Sequence, residues 1–369
     1  MPIVIAILLL AAGILGHVAL MRSLINWGYR LKMHERVWNV LFVALFATMC
    51  VVPVVIVRRA IAGALVPEWR VYLGGCVVFL AGSLILAAAR RARPAALVSN
   101  HTTQMDLADL RAAPLPAGHP PGSWLAGVCG NEIYRLTIAE RRLRMRQLPA
   151  ELDGLRVLHL SDLHFNGTPN LAYFRRALEL AADLKPDLIA LTGDVLDKHR
   201  LADWLEPTIG RLEAPLGRYF ILGNHDAYDH PDEIRSAVSA LGWADLGGRF
   251  VTIDHRGRPI VLAGDETPWL GKRPEVSAAP EDALRILLAH APYSFRWAIK
   301  RRFDLVLAGH LHGGQIRLPA VGPIIGGRYA DGVFGKDGTI MHVTRGLGVQ
   351  APLRFNCPPE IAVLVLTRG

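Results

Sequence analysis

The sequence predicts an α/β catalytic domain behind an α-helical membrane region. Three observations predict it. Three long runs before residue 90 carry no charged side chain. Strand-like and helix-like segments alternate from Leu155 onward. Polar residues of a restricted chemical kind recur at the ends of the strand-like segments.

The membrane region comes first in the chain. Residues 3–21, 38–57 and 71–89 contain no Asp, Glu, Lys or Arg. Each run approaches the roughly 20 residues that a helix needs to cross a bilayer. A soluble amphipathic helix carries a polar stripe, and these runs carry none. Mean hydropathy is +0.28, high for a soluble enzyme. Only Met1 and Pro2 precede the first run, so it lacks the basic start of a cleaved leader and reads as a retained span. Pro53 falls inside the second run, which membrane helices tolerate. We therefore expect a membrane region over 1–93 with three transmembrane helices, a linker over 94–131 and a catalytic domain over 132–369. An integral protein of the inner or plasma membrane is implied.

Basic residues set the expected orientation. Arg22, Arg30, Lys32 and Arg36 follow the first run, and Arg90, Arg91 and Arg93 follow the third. Arg58, Arg59 and Arg70 lie between the second and third. With three spans, the larger group shares a side with the catalytic domain, which predicts a cytoplasmic domain. The net charge of +9 fits retention at an anionic leaflet better than nucleic-acid binding, for which no module is present. Of the four cysteines, Cys50 and Cys76 sit in apolar runs, and no pair has zinc or redox spacing. A disulfide framework is not expected.

The linker is rich in Pro, Ala and Gly, and its Asp106, Asp109 and Arg111 read as a solvated face. Residues 132–138 form a candidate first strand, and the basic stretch 141–146 reads as too charged for the core. Residues 155–161 then read as a strand running into Asp162. Leu171, Phe174, Leu178, Ala181 and Leu184 mark one face of a helix. Strands follow over 187–192 and 218–222, with helices over 201–212 and 231–241. The second half reads as strands at 250–254, 259–263, 284–289, 304–308, 339–344 and 361–366. This alternation predicts helices packed on a mixed sheet.

Asp162, Asp194, Asn224, His290 and His310 each fall at or just past a strand end. Ligands gather at the carboxyl ends of strands in open α/β sheets, so these side chains are expected to meet. His164, Asp197, His225, Asp226 and His312 lie beside them. Carboxylates, a carboxamide oxygen and imidazoles suit Zn, Mn or Fe. The absence of thiolates argues against a structural zinc site. So many ligands exceed one tetrahedral ion and fit two ions sharing a carboxylate. A pair roughly 3.5–4 Å apart clamps both oxygens of an in-line phosphoryl displacement.

Ser161-Asp-Leu-His164, Gly193-Asp-Val-Leu-Asp197, Gly223-Asn-His-Asp226, His290 and Gly309-His-Leu-His312 resemble, in order, the five blocks of the calcineurin-like metallophosphoesterases. The resemblance implies a four-layer αββα sandwich of two β-sheets flanked by helices. It assigns Asp162, His164 and His312 to one ion and Asn224, His290 and His310 to the other, with Asp194 bridging. His225 would face the phosphate as general acid or charge stabiliser, and Asp226 would orient it. Gly309 to Gln315, Arg345-Gly-Leu-Gly348 and Pro358-Pro-Glu360 are similar to a bacterial membrane-associated branch. That branch includes phosphodiesterases and UDP-diacylglucosamine pyrophosphatases. The implied activity is hydrolysis of a phosphodiester or pyrophosphate, including a lipid-linked one, by attack of a metal-bound hydroxide. The alternatives are a phosphomonoesterase or protein phosphatase on the same site, and a non-catalytic metal-binding module.

Other residues have blander readings. His159 alternates with apolar neighbours and reads as a core or supporting histidine. Asp197 either touches the site or caps a loop. Arg345 either binds a substrate phosphate or forms a salt bridge. His199, His230 and His255 read as surface residues, His342 as mostly structural, and His17 as a membrane histidine near the interface.

Overall fold

A computed structural model describes residues 2–28, 35–90, 96–114, 122–318, 321–324 and 326–369. Among residues invoked above, Arg30, Lys32, Arg91 and Arg93 lie outside the described residues, as does linker stretch 115–121. The chain forms two compact units, 1–93 with 317–328, and 94–316 with 329–369.

In the first unit, α1 (Pro2–Gly28), α2 (Glu35–Ile61) and α3 (Pro67–Arg90) are the expected helices. Each is long and apolar enough to cross a membrane. Pro53 lies inside α2 without ending it. Gly13 and Gly16 of α1 lie against Leu73 and Cys76 of α3, and a Cβ at Gly16 would strike the Cys76 carbonyl oxygen. Small residues allow such close helix approach within a bilayer. Ala19 packs beside Leu80, so contacts advance together along both helices, which run parallel. That is the arrangement of the first and third of three successive spans. His17 is buried among the helices. Its Nδ1 lies 2.6 Å from the Tyr72 hydroxyl and its Nε2 3.1 Å from the Thr48 carbonyl oxygen, so one ring ties all three helices together. Two short strands, Arg317–Leu318 and Gly322–Pro323, complete the unit, with Asn26 Nδ2 donating to the Ile324 carbonyl at 2.8 Å.

The second unit contains thirteen strands and four short α-helices among the described residues. The strands are β1 (Leu97–Asp106), β2 (Arg135–Met145), β3 (Arg156–Leu160), β4 (Leu188–Thr192), β5 (Arg218–Ile221), β6 (Ala244–Asp245) and β7 (Phe250–His255). They continue with β8 (Arg258–Asp265), β9 (Leu284–Ala289), β10 (Leu305–Ala308), β11 (Gly332–Lys336), β12 (Thr339–Val343) and β13 (Glu360–Arg368). The helices are α4 (Leu171–Ala182), α5 (Asn224–Tyr228), α6 (Pro231–Ala240) and α7 (Phe295–Lys300).

One sheet has the order β1-β2-β13-β3-β4-β5-β6, the other β11-β12-β10-β9-β8-β7. Strands β3 to β6 run parallel, as do β8, β9, β10 and β12. Period-two alternation separates the layers. Val157, Leu188 and Ala190 meet Ile286, Leu288, Leu305 and Leu307 between the sheets. Leu158, Leu160, Ile189 and Leu191 face outward onto Tyr173, Phe174 and Ala177 of α4. Leu287, Val306 and Ala308 face Phe295 and Ala298 of α7. The result is the expected αββα layering.

Three local expectations change. The linker contains β1, an exposed polar strand paired with β2 along Asn100↔Arg141 and Thr103↔Ile138, so the catalytic unit begins before residue 132. The basic stretch is not outside the core either. It continues β2, with Arg142 and Arg144 exposed while Leu143 and Met145 are buried. Residues 201–212 form two 3₁₀ turns, His199–Trp204 and Ile209–Arg211, rather than one helix.

Arg141 itself is buried between the sheets. It reaches Glu360 through two parallel hydrogen bonds of 2.8 and 2.9 Å. Burial pushes the Glu360 carboxyl upward, but Arg141 and Arg345 outweigh it and hold it well below its usual 4.5. A depressed carboxylate stabilises the fold above its unfolded value and loses that contribution as pH falls through the folded one. Metal-free protein is therefore expected to lose stability below about pH 4.5. Glu360→Gln should be less stable at neutral pH and flatter in this acid range, as measured by denaturant titration at a series of pH values. An unchanged acid slope would remove the assignment.

Candidate metal centre

The site is built at the carboxyl ends of parallel strands from both sheets. After β3 come Asp162 and His164, after β4 Asp194, and after β5 Asn224 at the start of α5. The second sheet contributes His290 after β9, then His310 and His312 after β10. All seven sequence-expected ligands converge. His164 Nε2 lies 3.0 Å from His312 Nε2, and Asp162 Oδ1 lies 3.6 Å from His312 Nε2. His290 Nε2 lies 3.0 Å from Asn224 Oδ1 and 3.2 Å from His310 Nδ1. Asp194 Oδ2 lies 3.2 Å from His290 Nε2 and 3.6 Å from His164 Nε2.

The backbone is bent to achieve this. Asp162, His164, Asp194, His310 and His312 have φ of 54°, 44°, 54°, 70° and 48°. This left-handed region costs non-glycine residues free energy, and such strain clusters at functional sites. Gly193, at φ 89°, must lack a side chain, because a Cβ there would come within 2.8 Å of His290 Nδ1. Backbone donors hold the carboxylates in place. His310 N–H donates to Asp162 and His225 N–H to Asp194 Oδ1.

Hydrogen bonding also selects the nitrogens that face the centre. The Thr192 carbonyl can only accept, and it lies 2.8 Å from His290 Nδ1, leaving His290 Nε2 as the ligand atom. Asp197 Oδ1 lies 2.7 Å from His164 Nδ1, leaving His164 Nε2 likewise. Such outer partners fix tautomer and ring orientation. Burial disfavours charge on both rings, but the neighbouring carboxylates outweigh it and raise each to about 9 in the ion-free protein.

These donors fit divalent ions. Asp162, His164 and His312 form one group and Asp194, His290 and His310 another, each with ligand atoms within 4.8 Å of one another. Imidazole nitrogens aimed at each other across about 3 Å need a shared cation or proton between them, and buried oxygen and nitrogen donors of this kind suit Mn, Zn or Fe.

One expected role moves. Asp226 does not reach His225. Its Oδ1 accepts from the Val195 and Leu196 N–H groups at 2.9 and 3.1 Å, and its Oδ2 from Gly223 N–H at 2.8 Å. The first turn of α5 points it under the loops, where it ties the β4 and β5 ends together. Burial and the Asp194 charge push its carboxyl up to about 6. Asp197 takes the expected place. Its Oδ1 lies 3.1 Å from His225 Nδ1, and its Oδ2 accepts from Asn166 at 3.2 Å. The spacing Gly193-Asp194 to Asp197 was the available signal.

Arg345 forms the salt bridge that its sequence position allowed. Its Nη2 lies 3.1 Å from Glu360 Oε2. His159 and His342 are buried and bonded to each other, while His199 and His230 are exposed. Sequence reasoning missed Arg354, which is fully buried and donates to the Arg345 and Gly348 carbonyls at 2.7 Å each, clamping the loop beside Asp162. It also missed the aromatic wall, where Trp269 and Tyr293 lie 5.1 and 6.1 Å from His310 between ring centroids. Neither has a periodic or motif signal.

Residues 155–314 match the calcineurin-like phosphoesterase family. A metallophosphoesterase of Bacillus subtilis, YkuE, is 31% identical over 250 residues, spanning 64% of this chain and 87% of that protein. The chain belongs to the calcineurin-like phosphoesterase family. Phosphodiesterase YaeI of Escherichia coli is 31% identical, over 57% of this chain and 82% of its own length. A Danio rerio transmembrane protein with a metallophosphoesterase domain is 30% identical, over 63% of this chain and 57% of its own. This phosphoesterase is thus a metal-dependent phosphoric ester hydrolase, with divalent ions as its cofactors.

Proposed function

We propose that this phosphoesterase is a membrane-anchored hydrolase of phosphodiester or pyrophosphate bonds that works with two divalent ions. The observation that carries the reading is the position of Asp194 Oδ2, within 3.2 and 3.6 Å of one imidazole from each ligand group. Asp162, His164 and His312 would hold one ion, and Asn224, His290 and His310 the other, with Asp194 shared. When bound, two such ions polarise phosphoryl oxygens and lower the pKa of a water ligand to about 7.

The chain's own groups do the rest. His225 keeps its side chain 22% exposed, while Asp197 accepts from its Nδ1. That arrangement leaves Nε2 directed away from Asp197, free to donate a proton or hydrogen bond to a phosphoryl or leaving-group oxygen. A carboxylate behind an imidazole fixes its tautomer and ring orientation, so Asp197 supports His225 in either role. Trp269 and Tyr293 wall the His310 side of the centre.

Three apolar helices and a basic chain support a substrate at the membrane, including a lipid-linked diester, and the basic flanks support a cytoplasmic catalytic unit. The test uses full-length protein in detergent with Mn²⁺. Activity on an aryl phosphodiester, and on a diacylglycerol-linked pyrophosphate in mixed micelles, should exceed activity on the aryl monoester. A preference for the monoester would overturn the diester reading, and inactivity on every phosphoester would overturn hydrolysis. A C-terminal reporter that is active only on the outer face would overturn the cytoplasmic placement.

A further inference from the structure

We propose that His342 and His159 are positioning residues for the metal centre, linked with Arg141 in a hydrogen-bond chain of fixed direction that ends on Thr192, the residue whose main-chain carbonyl holds His290. The inference rests on the two-ion reading above. It arises from a polar layer that the proposed chemistry does not use.

The residues come from five strands. Arg141 lies on β2, Glu360 on β13, His159 on β3 and Thr192 on β4, all in the first sheet, whereas His342 lies on β12 of the second. Arg141 is 8% exposed and the other four at most 1%. Arg141 shares strand parity with Leu143, and His159 with Val157, residues that fill the space between the sheets. Polar side chains are costly there unless every donor finds an acceptor.

The direction of the chain follows from chemistry alone. A guanidinium can only donate. Arg141 Nη1 lies 2.7 Å from His342 Nε2, so that nitrogen accepts and the His342 proton sits on Nδ1. His342 Nδ1 lies 2.8 Å from His159 Nδ1, so it donates, and the His159 proton sits on Nε2. His159 Nε2 lies 3.0 Å from Thr192 Oγ1 and donates to it. The reverse order would set the His342 Nε2 proton against the Arg141 donor, and Glu360 Oε1, at 3.8 Å, is too far to accept it. Both rings must be neutral, and burial, which pushes His159 down to about 3, keeps it so.

The chain ends on the Thr192 hydroxyl, and the main chain of Thr192 touches the candidate ligands. The Thr192 carbonyl accepts from His290 Nδ1 at 2.8 Å and from Ser161 Oγ at 3.3 Å. Thr192 also immediately precedes Gly193-Asp194. At the other end, His342 pairs in register with Leu307 on β10, the strand that leads to His310. The His159–His342 bond is therefore a polar tie across the two sheets, between β3, which leads to Asp162 and His164, and β12, the neighbour of the β10 strand that leads to His310 and His312. The centre needs donors from both sheets, so their relative setting fixes its geometry.

The test compares His342→Leu with His342→Gln in full-length protein. Leucine preserves apolar packing and removes both hydrogen bonds. Glutamine offers an oxygen to Arg141 and an N–H to His159. Mn²⁺ binding to metal-free protein, read from the free-ion electron paramagnetic resonance signal, is the primary readout, with thermal unfolding and turnover alongside. Leucine should weaken Mn²⁺ binding by up to about 10-fold, at the low end of the roughly 10- to 100-fold range for groups bonded directly to a metal ligand. Glutamine should restore it. Thr192→Val, which removes the hydroxyl that accepts from His159 and that donates to the Leu160 carbonyl at 3.5 Å, should weaken binding in the same direction and decides the matter if the leucine variant does not fold. Unchanged Mn²⁺ affinity in a folded leucine or valine variant would overturn the proposal, as would a folded glutamine variant no better than leucine. Absence of Mn²⁺ binding by the wild-type protein would instead overturn the two-ion reading itself.

Discussion

Replacing Asp194 with Asn should reduce phosphodiester turnover by at least about 10³-fold, equivalent to roughly 4 kcal/mol of lost transition-state stabilisation. The substitution changes almost nothing sterically. Asn keeps an oxygen able to accept from His225 N–H, the bond that Asp194 Oδ1 makes at 2.8 Å. It removes the negative charge and places an amide NH₂ where Oδ2 faces His290 and His164 at 3.2 and 3.6 Å. An NH₂ group cannot act as a ligand. One change thus weakens both ligand groups at once, which no other single ligand does. Measured against an aryl phosphodiester with saturating Mn²⁺, robust turnover by this variant would rule out a shared carboxylate as the core of the mechanism.

The second large effect separates chemistry from metal binding. His225→Ala should retain Mn²⁺ yet lose about 10²- to 10⁴-fold in kcat, the range for a positioned proton donor. The separation follows from geometry. His225 pairs with Asp197 rather than with Asp226, and its side chain stays partly exposed beside candidate ligands that, His310 apart, are buried. Removing the ring leaves Asp197 still bound to His164 at 2.7 Å, so the ligand His164 keeps its orientation. Turnover within tenfold of the wild type would deny His225 a proton-transfer or charge-stabilising role. Parallel loss of Mn²⁺ would make it structural.

The convergence of the seven candidate ligands was legible in the sequence because each block is short, chemically narrow and placed at a strand end. The three apolar helices were legible because a run without charge has few soluble explanations. Other features depend on partners far along the chain. Arg141 lies in a basic stretch that reads as solvated, and its burial depends on His342 and Glu360, 201 and 219 residues later. Strand β1 has no apolar alternation because it is a polar edge strand with most of its side chains exposed. The resemblance placed Asp226 behind His225, but the turn of α5 rotates neighbouring side chains to different sides, and Asp197 reaches the ring instead. Arg354 has no local signature, since its acceptors are main-chain carbonyls of a loop that exists only in the fold.

The most direct test of the central claim is a titration of metal-free full-length protein with Mn²⁺, following bound ion and aryl phosphodiester turnover together. Two ions per chain should bind, and turnover should rise to its plateau only as the second is taken up. Full turnover with a single bound ion per chain would contradict the account.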